Sequence, residues 1–376
     1  MTPTLLSRRN LLLCSAAAVA CRKQKATGYP GYCFVANSGG HSIGVLDLTT
    51  FRVLRQIHLS AAPIAVLPHP TRPKAFALLP DTGTLAEIDA TSLSVSRHAA
   101  AGARALAMQL APTGDAMWVL YSQPAALVEF PLDSLRPRRR ISLSAPPDEF
   151  MLSSTGAAAI ISRAGRSVAI ASLGTGRIEH TITSTAEPSI VCFQPDGKQL
   201  IAGSWTGRSI TIFDMATAKT VVRLPLPMAP RQFCFEPPPG GQLFVSGDGM
   251  DAVAIVYPYT TEVGETILAG HAPGAMATTI AGSASYLLVA NPDSSTVTVL
   301  DIDTRKLVAL VQVGQQPGHI FITPDKQYAL VLDEKSGDLA VIRIAALAAR
   351  RYKIAPLFTL VPIGDKPVSA AVVAFA

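Results

Sequence analysis

A repeat of about 42 residues constrains the fold of this chain more than any other feature of its sequence. In each copy a strand-like segment ends at a fixed position, and in seven of the eight copies a hydroxyl side chain follows three residues later. The end positions are Asp47, Asp89, Pro131, Ser172, Asp214, Tyr257, Asp301 and Arg343. Because an aspartate side chain accepts hydrogen bonds from N–H groups two or three residues further on, the pattern predicts a tight turn at the strand ends.

A complete copy also contains four short strand-like runs. In the fifth copy they cover residues 189–194, 199–204, 209–215 and 220–226, with a Pro-Asp-Gly turn between the first two. Four strands in about 42 residues are typical of one blade of a β-propeller. The sequence therefore predicts an all-β chain of eight four-stranded blades. Seven blades with one irregular excursion remain the alternative.

The two ends of the repeat region predict how the ring closes. The first copy lacks an innermost strand, whereas residues 368–375 form a strand-like run that belongs to no complete copy. We expect this C-terminal strand to complete the first blade and to cover its open edge. An insertion at residues 345–355, rich in alanine and arginine, predicts a short helix between the last two strands of the final blade.

The first 20 residues have the features of an export signal peptide. Arg8 and Arg9 precede an apolar stretch at residues 11–20, which is too short to span a bilayer. The segment resembles a twin-arginine translocation signal, in which Leu11 and Leu13 replace the usual Phe and Lys. We therefore expect an exported protein, periplasmic or anchored at the cell envelope.

The end of this signal permits two kinds of processing. Residues 18–21, Ala-Val-Ala-Cys, resemble a lipobox and predict lipidation of Cys21, which would anchor the protein in a membrane. The same residues satisfy the Ala-x-Ala rule for ordinary cleavage and release, so both outcomes stay open. The predicted organisation is a signal peptide at 1–20, a tether at 21–30 and a propeller at 31–376.

Charge and cysteine content exclude further classes of protein. The formal net charge of +6 is small and scattered, so no nucleic-acid partner is expected. The run of Arg136, Arg138, Arg139 and Arg140 is interpreted as solvated. The cysteines beyond the signal are predicted to be small buried hydrophobic residues without a disulfide framework; they are Cys33, Cys192 and Cys234.

Two segments connect the repeat with a known family. Residues 34–37 (Phe-Val-Ala-Asn) and 288–291 (Leu-Val-Ala-Asn) each precede a Ser-containing turn and a strand that ends in Val-Leu-Asp. In these features residues 31–376 resemble the YVTN-type β-propeller repeat proteins. The resemblance implies the propeller fold but no single function, because such repeats occur in surface-layer proteins, lactonases and quinoprotein-like subunits. Asn37 and Asn291 are interpreted as turn-forming residues.

The sequence contains no motif that predicts a cofactor. Only two tryptophans are present, too few to dock a quinone cofactor, and no Cys-x-x-Cys-His haem attachment occurs. The seven histidines show no metal-ligand spacing, so neither a metal site nor a cofactor is expected. A lactonase-like or other hydrolase with a site at the channel mouth remains an alternative, although no catalytic motif marks it.

Propeller geometry predicts where a ligand would bind. Loops from the outermost strand to the next innermost strand, and from the second to the third strand, meet around the channel on one face. The ligand-binding candidates on these loops are Asp148, Glu149, Arg163, Trp205, Arg208, Arg231 and His319. A tryptophan with arginines and acids around it suits a polar ligand. We expect the protein to be a scaffold that binds an envelope protein, peptide or polymer, and this interpretation is favoured over an enzyme. A structural subunit of an envelope or redox complex is a further alternative.

Overall fold

The strands build eight antiparallel sheets of four strands each, arranged as the blades of a β-propeller. The computed structural model describes residues 28–348 and 355–375, apart from residues 185 and 239. The predicted eight-bladed all-β fold is confirmed, and the seven-bladed alternative is wrong. The predicted signal peptide at 1–20 and Cys21 lie outside the described residues.

The blades follow one another along the chain, and within blades 2 to 8 the strands run from the innermost to the outermost position. The first strands of the chain are β1 (Gly31–Asn37), β2 (Ser42–Asp47) and β3 (Arg52–His58), which belong to blade 1. Blade 2 contains β4 (Ala65–Pro68), β5 (Lys74–Leu79), β6 (Thr84–Asp89) and β7 (Ser94–Ala100). Blade 3 contains β8 (Ala105–Leu110), β9 (Ala116–Ser122), β10 (Ala125–Pro131) and β11 (Arg139–Ser142). Blade 4 contains β12 (Glu149–Leu152), β13 (Ala157–Ser162), β14 (Ser167–Ser172) and β15 (Arg177–Thr183).

The second half of the ring has the same construction. Blade 5 contains β16 (Ile190–Phe193), β17 (Gln199–Ser204), β18 (Ser209–Asp214) and β19 (Thr220–Pro225). Blade 6 contains β20 (Ala229–Phe235), β21 (Leu243–Asp248), β22 (Ala252–Tyr257) and β23 (Glu262–Leu268). Blade 7 contains β24 (Met276–Ala281), β25 (Ala284–Asn291), β26 (Thr296–Asp301) and β27 (Lys306–Gln312). Blade 8 contains β28 (Pro317–Ile322), β29 (Tyr328–Asp333), β30 (Asp338–Arg343) and β31 (Leu357–Pro362). The short helix α1 (Ile344–Ala348) follows β30, where the insertion predicted a helix, and the last strand is β32 (Pro367–Ala374).

The repeated turn works as its residues predict. In blade 5, Asp214 Oδ1 accepts hydrogen bonds from the Thr217 hydroxyl at 2.7 Å and from the Thr217 N–H at 2.9 Å. These bonds lower the pKa of Asp214 because they stabilise its charged form. The same acceptor position is used in blade 1 by Asp47 and in blade 7 by Asp301. The turn chemistry therefore ends the third strand at the same repeat position in blades 1, 5 and 7.

The C-terminal strand closes the ring as predicted. β32 pairs antiparallel with β1, with Phe34 opposite Ala371 and Val35 opposite Ala370. The Ser369 hydroxyl oxygen also accepts a hydrogen bond of 3.1 Å from the Val66 N–H, which links blade 1 to blade 2. Blade 1 is thus composed of the first three strands of the propeller and its last one.

The core lies between neighbouring blades, because the second and third strands are buried on both faces. Cys33 and Cys192 are buried there as free thiols, and Cys234 is a partly buried free thiol, as predicted. Burial raises the pKa of Cys33 to about 12, so this thiol stays protonated and unreactive at neutral pH. No helix in the described part of the chain is long and apolar enough to cross a membrane.

Asn37, Asn291 and Asp333 occupy the last position of the second strand in blades 1, 7 and 8. Asn291 Oδ1 accepts a 3.0 Å hydrogen bond from the N–H of Gly270, and Asp333 Oδ2 accepts one of the same length from Gly314. The Asn37 side-chain amide donates to the Ile363 carbonyl at 3.0 Å. All three side chains are fully buried. They therefore bind the incoming loop from the preceding blade, a role broader than the local turn that the sequence predicted.

Two arginines of the basic run remain open to solvent but also pair with a buried carboxylate. Arg138 Nη2 donates to Glu129 Oε1 at 2.5 Å, and Arg139 Nε lies 3.6 Å from Glu129 Oε2. Glu129 is 5% exposed, so its carboxylate needs these partners. Arg138 and Arg139 therefore compensate the charge of Glu129 from the surface.

Candidate functional site

Two matching turns place Arg163 and Trp205 on the same face of neighbouring blades. We call this side of the ring, which carries the second-to-third strand loops, the ring face, and the opposite side the turn face. The turns read Ser-Arg-Ala-Gly-Arg-Ser at 162–167 and Ser-Trp-Thr-Gly-Arg-Ser at 204–209. In each, the first serine hydroxyl oxygen accepts a 3.0 Å hydrogen bond from the glycine N–H three residues later. This closes the turn and leaves its second residue exposed.

Trp205 is held in place by a carboxylate of the next blade. Its indole Nε1–H donates to Asp248 Oδ2 at 2.8 Å, and Arg231 Nε–H donates to the same oxygen at 2.6 Å. The Arg231 guanidinium carbon lies 5.9 Å from the centre of the indole ring, within cation–π range. Trp205 nevertheless remains 44% exposed. The three side chains form a fixed aromatic platform with charged groups at its edge.

A β-bulge positions Arg231. The register of β20 and β21 shifts between Pro230 and Gln232, so Arg231 is the extra residue of its strand. A bulge leaves this residue without a cross-strand partner and re-aims its side chain. The same kind of shift occurs at His319 in blade 8, between Pro317 and Ile320.

These residues border an open cavity of about 440 Å³, which spans blades 4 to 6 on the ring face. We call it the blade 4–6 cavity. Its lining consists of Glu149, Arg163, Glu187, Pro188, Ser189, Trp205, Thr206, Pro230, Arg231 and Gln232. Four of the seven predicted candidates therefore line one cavity.

The acids near Arg163 have different environments. Asp148 Oδ2 accepts a 2.7 Å hydrogen bond from the Arg163 N–H, so this carboxylate supports the turn and does not line the cavity. Glu149 is partly buried at the start of β12, and this burial raises the pKa of its carboxyl above the ordinary value. The charge of Asp148 acts in the same direction, whereas the Arg163 guanidinium opposes it. Glu149 is thus an acid whose protonation responds to what binds beside it.

The remaining two candidates lie elsewhere. The Arg208 guanidinium donates to the Pro227 carbonyl. His319 is exposed on β28 in blade 8, with its ring centre 6.2 Å from that of Phe321. In the described part of the chain, no group of three or more His, Cys, Asp or Glu side chains is placed to hold a metal ion.

Sequence reasoning missed six of the ten lining residues, among them Glu187 and Gln232, and the bond between Trp205 and Asp248. Glu187 lies in the loop that leads from blade 4 into blade 5, one of the predicted ligand-binding loops, but it was not among the candidates. Gln232 follows the bulge, which has no sequence signal of its own. The repeated Ser-x-x-Gly-Arg-Ser turn was a usable signal, because its second position is Arg163 in one blade and Trp205 in the next.

The comparisons with known proteins support the fold alone. No family model matches the chain, and no curated protein matches its sequence. Its structure is similar to "Dihydro-heme d1 dehydrogenase NirN in complex with DHE", with a TM-score of 0.76 and 15% identity over 91% of this chain and 75% of that one. It is also similar to a functionally unknown protein from Desulfotomaculum acetoxidans DSM 771, with a TM-score of 0.62 and 13% identity over 92% of this chain and 100% of that one. For hydrazine synthase of Kuenenia stuttgartiensis the TM-score is 0.57, and the identity is 18% over 88% of this chain and 99% of that one. At these identities the likeness extends to the eight-bladed propeller and no further.

Proposed function

We propose that this chain is an exported β-propeller, of the YVTN type in its repeats, that binds a peptide or an envelope polymer in the blade 4–6 cavity. The observation that carries the proposal is the clamp on Trp205: a half-exposed indole whose edge is bound to Asp248 and flanked by Arg231. Such a platform is organised before the ligand arrives, so little side-chain freedom is lost on binding. Arginines and acids in the same lining suit a ligand rich in polar groups.

The two tryptophans make this proposal directly testable. Trp118 is 1% exposed and Trp205 is 44% exposed, so a ligand in the cavity alters the emission of Trp205 alone. Peptide and saccharide fractions of a cell-envelope digest are titrated into the full chain while tryptophan emission is recorded. We expect at least one fraction to give a saturable change that is absent from Trp205→Phe. A change that persists in Trp205→Phe, or no change with any fraction, would contradict the proposed site.

The proposed membrane tether is compatible with where the described chain begins. Gly28 packs on the Leu48 carbonyl and the Phe51 ring, at the turn between β2 and β3 on the turn face. Residues 22–28 reach at most about 25 Å when fully extended. A lipid on Cys21 would therefore hold the turn face toward the membrane and present the blade 4–6 cavity away from it.

Cell fractionation tests the tether separately from ligand binding. We expect the full chain in the membrane fraction of the cell envelope and Cys21→Ser in the soluble exported fraction. Replacement of both Arg8 and Arg9 by lysine is expected to keep the chain in the cytoplasm. If the full chain and Cys21→Ser are both soluble, the protein is released and has no lipid anchor.

A hydrolase with Glu149 as its acid is the second candidate function. A carboxyl group whose pKa is raised by burial is better suited to general acid catalysis than an ordinary glutamate, and Glu187 supplies a second carboxyl in the same cavity. The discriminating measurement is product formation from a fraction that changes Trp205 emission. Turnover that is lost in Glu149→Gln supports the hydrolase, whereas stable binding without product supports the scaffold.

A further inference from the structure

We infer that the ligand of the blade 4–6 cavity is an acidic saccharide, whose sugar ring lies on the Trp205 indole and whose carboxylate pairs with the Arg163 guanidinium. This inference deepens the proposed binding function and rests on it. Three features carry it: the exposed indole faces, the polar character of the rest of the lining, and the charge of Arg163.

The clamp on Trp205 leaves a surface that suits a sugar ring. Asp248 binds the indole at its Nε1 edge, so the bond does not occupy the ring faces. The guanidinium of Arg231 covers part of one side at 5.9 Å from the ring centre. A pyranose ring presents C–H groups on one face, and these pack on an aromatic face while the hydroxyl groups point outward.

The other lining side chains match hydroxyl groups better than a peptide. Glu187, Thr206 and Gln232 offer carboxylate, hydroxyl and amide groups around the indole. Apart from Trp205, the apolar side chains of the lining are Pro188 and Pro230. Peptides are often recognised by pairing with a free strand edge or by several large apolar anchors, and the cavity offers one aromatic side chain and two prolines.

Arg163 supplies the charge selectivity. Its guanidinium makes no hydrogen bond and no ion pair with any described residue, whereas Arg231 is already bound to Asp248. An arginine whose guanidinium makes no hydrogen bond is free to bind a carboxylate through two parallel N–H···O bonds. Because Arg163 and Trp205 hold the same position in adjacent turns, one ligand that crosses from blade 5 to blade 4 meets both.

The test uses a pair of probes with the same sugar rings, one with ionised carboxylates and one with neutral methyl esters. Trigalacturonic acid and its fully methyl-esterified form have the same rings, but the ester has no carboxylate. Each is titrated into the full chain with Trp205 emission as the readout. We expect the acid to bind at least about tenfold more tightly than the ester, the equivalent of one charge-assisted hydrogen bond.

Two matched variants locate the carboxylate. Arg163→Gln is expected to lower the affinity for the acid about tenfold and to leave that for the ester unchanged. Arg166→Gln changes an exposed arginine of the same turn that does not line the cavity, and both affinities should stay at the wild-type value. Circular dichroism melting confirms that the variants are folded.

Each other result overturns a defined part of the inference. Equal affinity for acid and ester, or no effect of Arg163→Gln, removes the carboxylate contact. If neither sugar binds at millimolar concentration, but an amidated Ala-Glu-Ala peptide alters Trp205 emission, the saccharide is wrong and the binding scaffold stands. If neither the sugars, the peptide nor any envelope fraction alters that emission, the proposed function fails as well.

Discussion

The indole Nε1–H of Trp205 donates to Asp248 Oδ2 across the boundary between blades 5 and 6, at a distance of 2.8 Å. The same oxygen accepts the Nε–H of Arg231 at 2.6 Å. One carboxylate therefore orients both the aromatic surface and the cation beside it. The platform depends on how two blades pack, because neither blade alone contains all three side chains.

Replacement of Asp248 by asparagine should loosen this platform. The neutral amide keeps the size of the side chain but loses the charge-assisted bond to Arg231, which contributes about 1.5–3 kcal/mol in favourable cases and less at an exposed site. We expect Trp205 emission to shift to longer wavelength and its quenching by iodide to increase. Asp251→Asn is the control, because Asp251 lies in the same loop and pairs with His271. Equal quenching in both variants would show that Asp248 does not orient the indole.

Ring closure predicts a graded loss of stability at the C-terminal strand. Removal of residues 367–376 exposes the inner edge of β1, and we expect the truncated chain to be largely unfolded or aggregated. Val373→Ala is a milder change at a 3% exposed position and should lower the free energy of unfolding by about 1–3 kcal/mol. Phe375→Ala, at a 42% exposed position, serves as the comparison and should cost less. Urea unfolding followed by circular dichroism checks the order.

The fold could be predicted from the sequence because several blades share one local turn chemistry at the same repeat position. Asp214 and Asp301 end their strands with the same hydrogen bond to a threonine N–H, and local turns of this kind are visible in the order of residues. Ring closure was also predictable from the sequence. The C-terminal strand-like run belongs to no complete copy, and the first copy at the N-terminal end lacks one strand.

The site was predictable only in part, because its contacts join residues of different blades. Trp205 and Asp248 are 43 positions apart, and their bond depends on the packing of two sheets. The bulge that re-aims Arg231 comes from one extra residue in a strand of ordinary composition. Arg208 has the same chemistry as Arg163, but it holds the fifth position of its turn and binds Pro227 instead.

Asp333 predicts a pH-dependent stability with a definite sign. Its burial raises the pKa of the carboxyl to about 7, with a smaller contribution from Asp338 directly opposite it. The folded chain therefore holds a proton that the unfolded chain releases near pH 4, so this group destabilises the fold progressively from about pH 4 to pH 7. Asp333→Asn should raise the free energy of unfolding at pH 8 by up to about 4 kcal/mol and change it little at pH 4.5.

The measurement for Asp333 is urea unfolding of the wild type and the variant at both pH values. Asp338→Asn removes the facing charge but leaves Asp333 buried, so its gain at pH 8 should be smaller. If Asp333→Asn destabilises the chain equally at pH 4.5 and pH 8, Asp333 acts through packing and not through its charge.

Arg138 and Arg136 should respond differently to the same substitution, although both belong to one basic run. Arg138→Ala leaves the buried Glu129 with Arg139 at 3.6 Å as its remaining cation, and we expect a measurable loss in the free energy of unfolding. Arg136→Ala removes an exposed side chain and should change that free energy by less than about 0.5 kcal/mol. Similar losses in both variants would assign the effect to the net charge of the run.

Glu149 should make the binding of an acidic ligand depend on pH. Its carboxyl lines the same cavity as Arg163, and burial raises its pKa, so a proton is retained at a higher pH than for an ordinary glutamate. An ionised Glu149 repels a carboxylate bound beside it, whereas the protonated form does not and can donate a hydrogen bond. The affinity for trigalacturonic acid should therefore rise as the pH falls through the pKa of Glu149, until the ligand itself is protonated. Titrations between pH 4.5 and pH 8 measure this pH dependence of the affinity, which should be weaker in Glu149→Gln. Glu179→Gln changes an exposed glutamate on the outermost strand β15 and should leave the pH dependence unchanged. An equal pH dependence in all three proteins would assign it to the ligand alone.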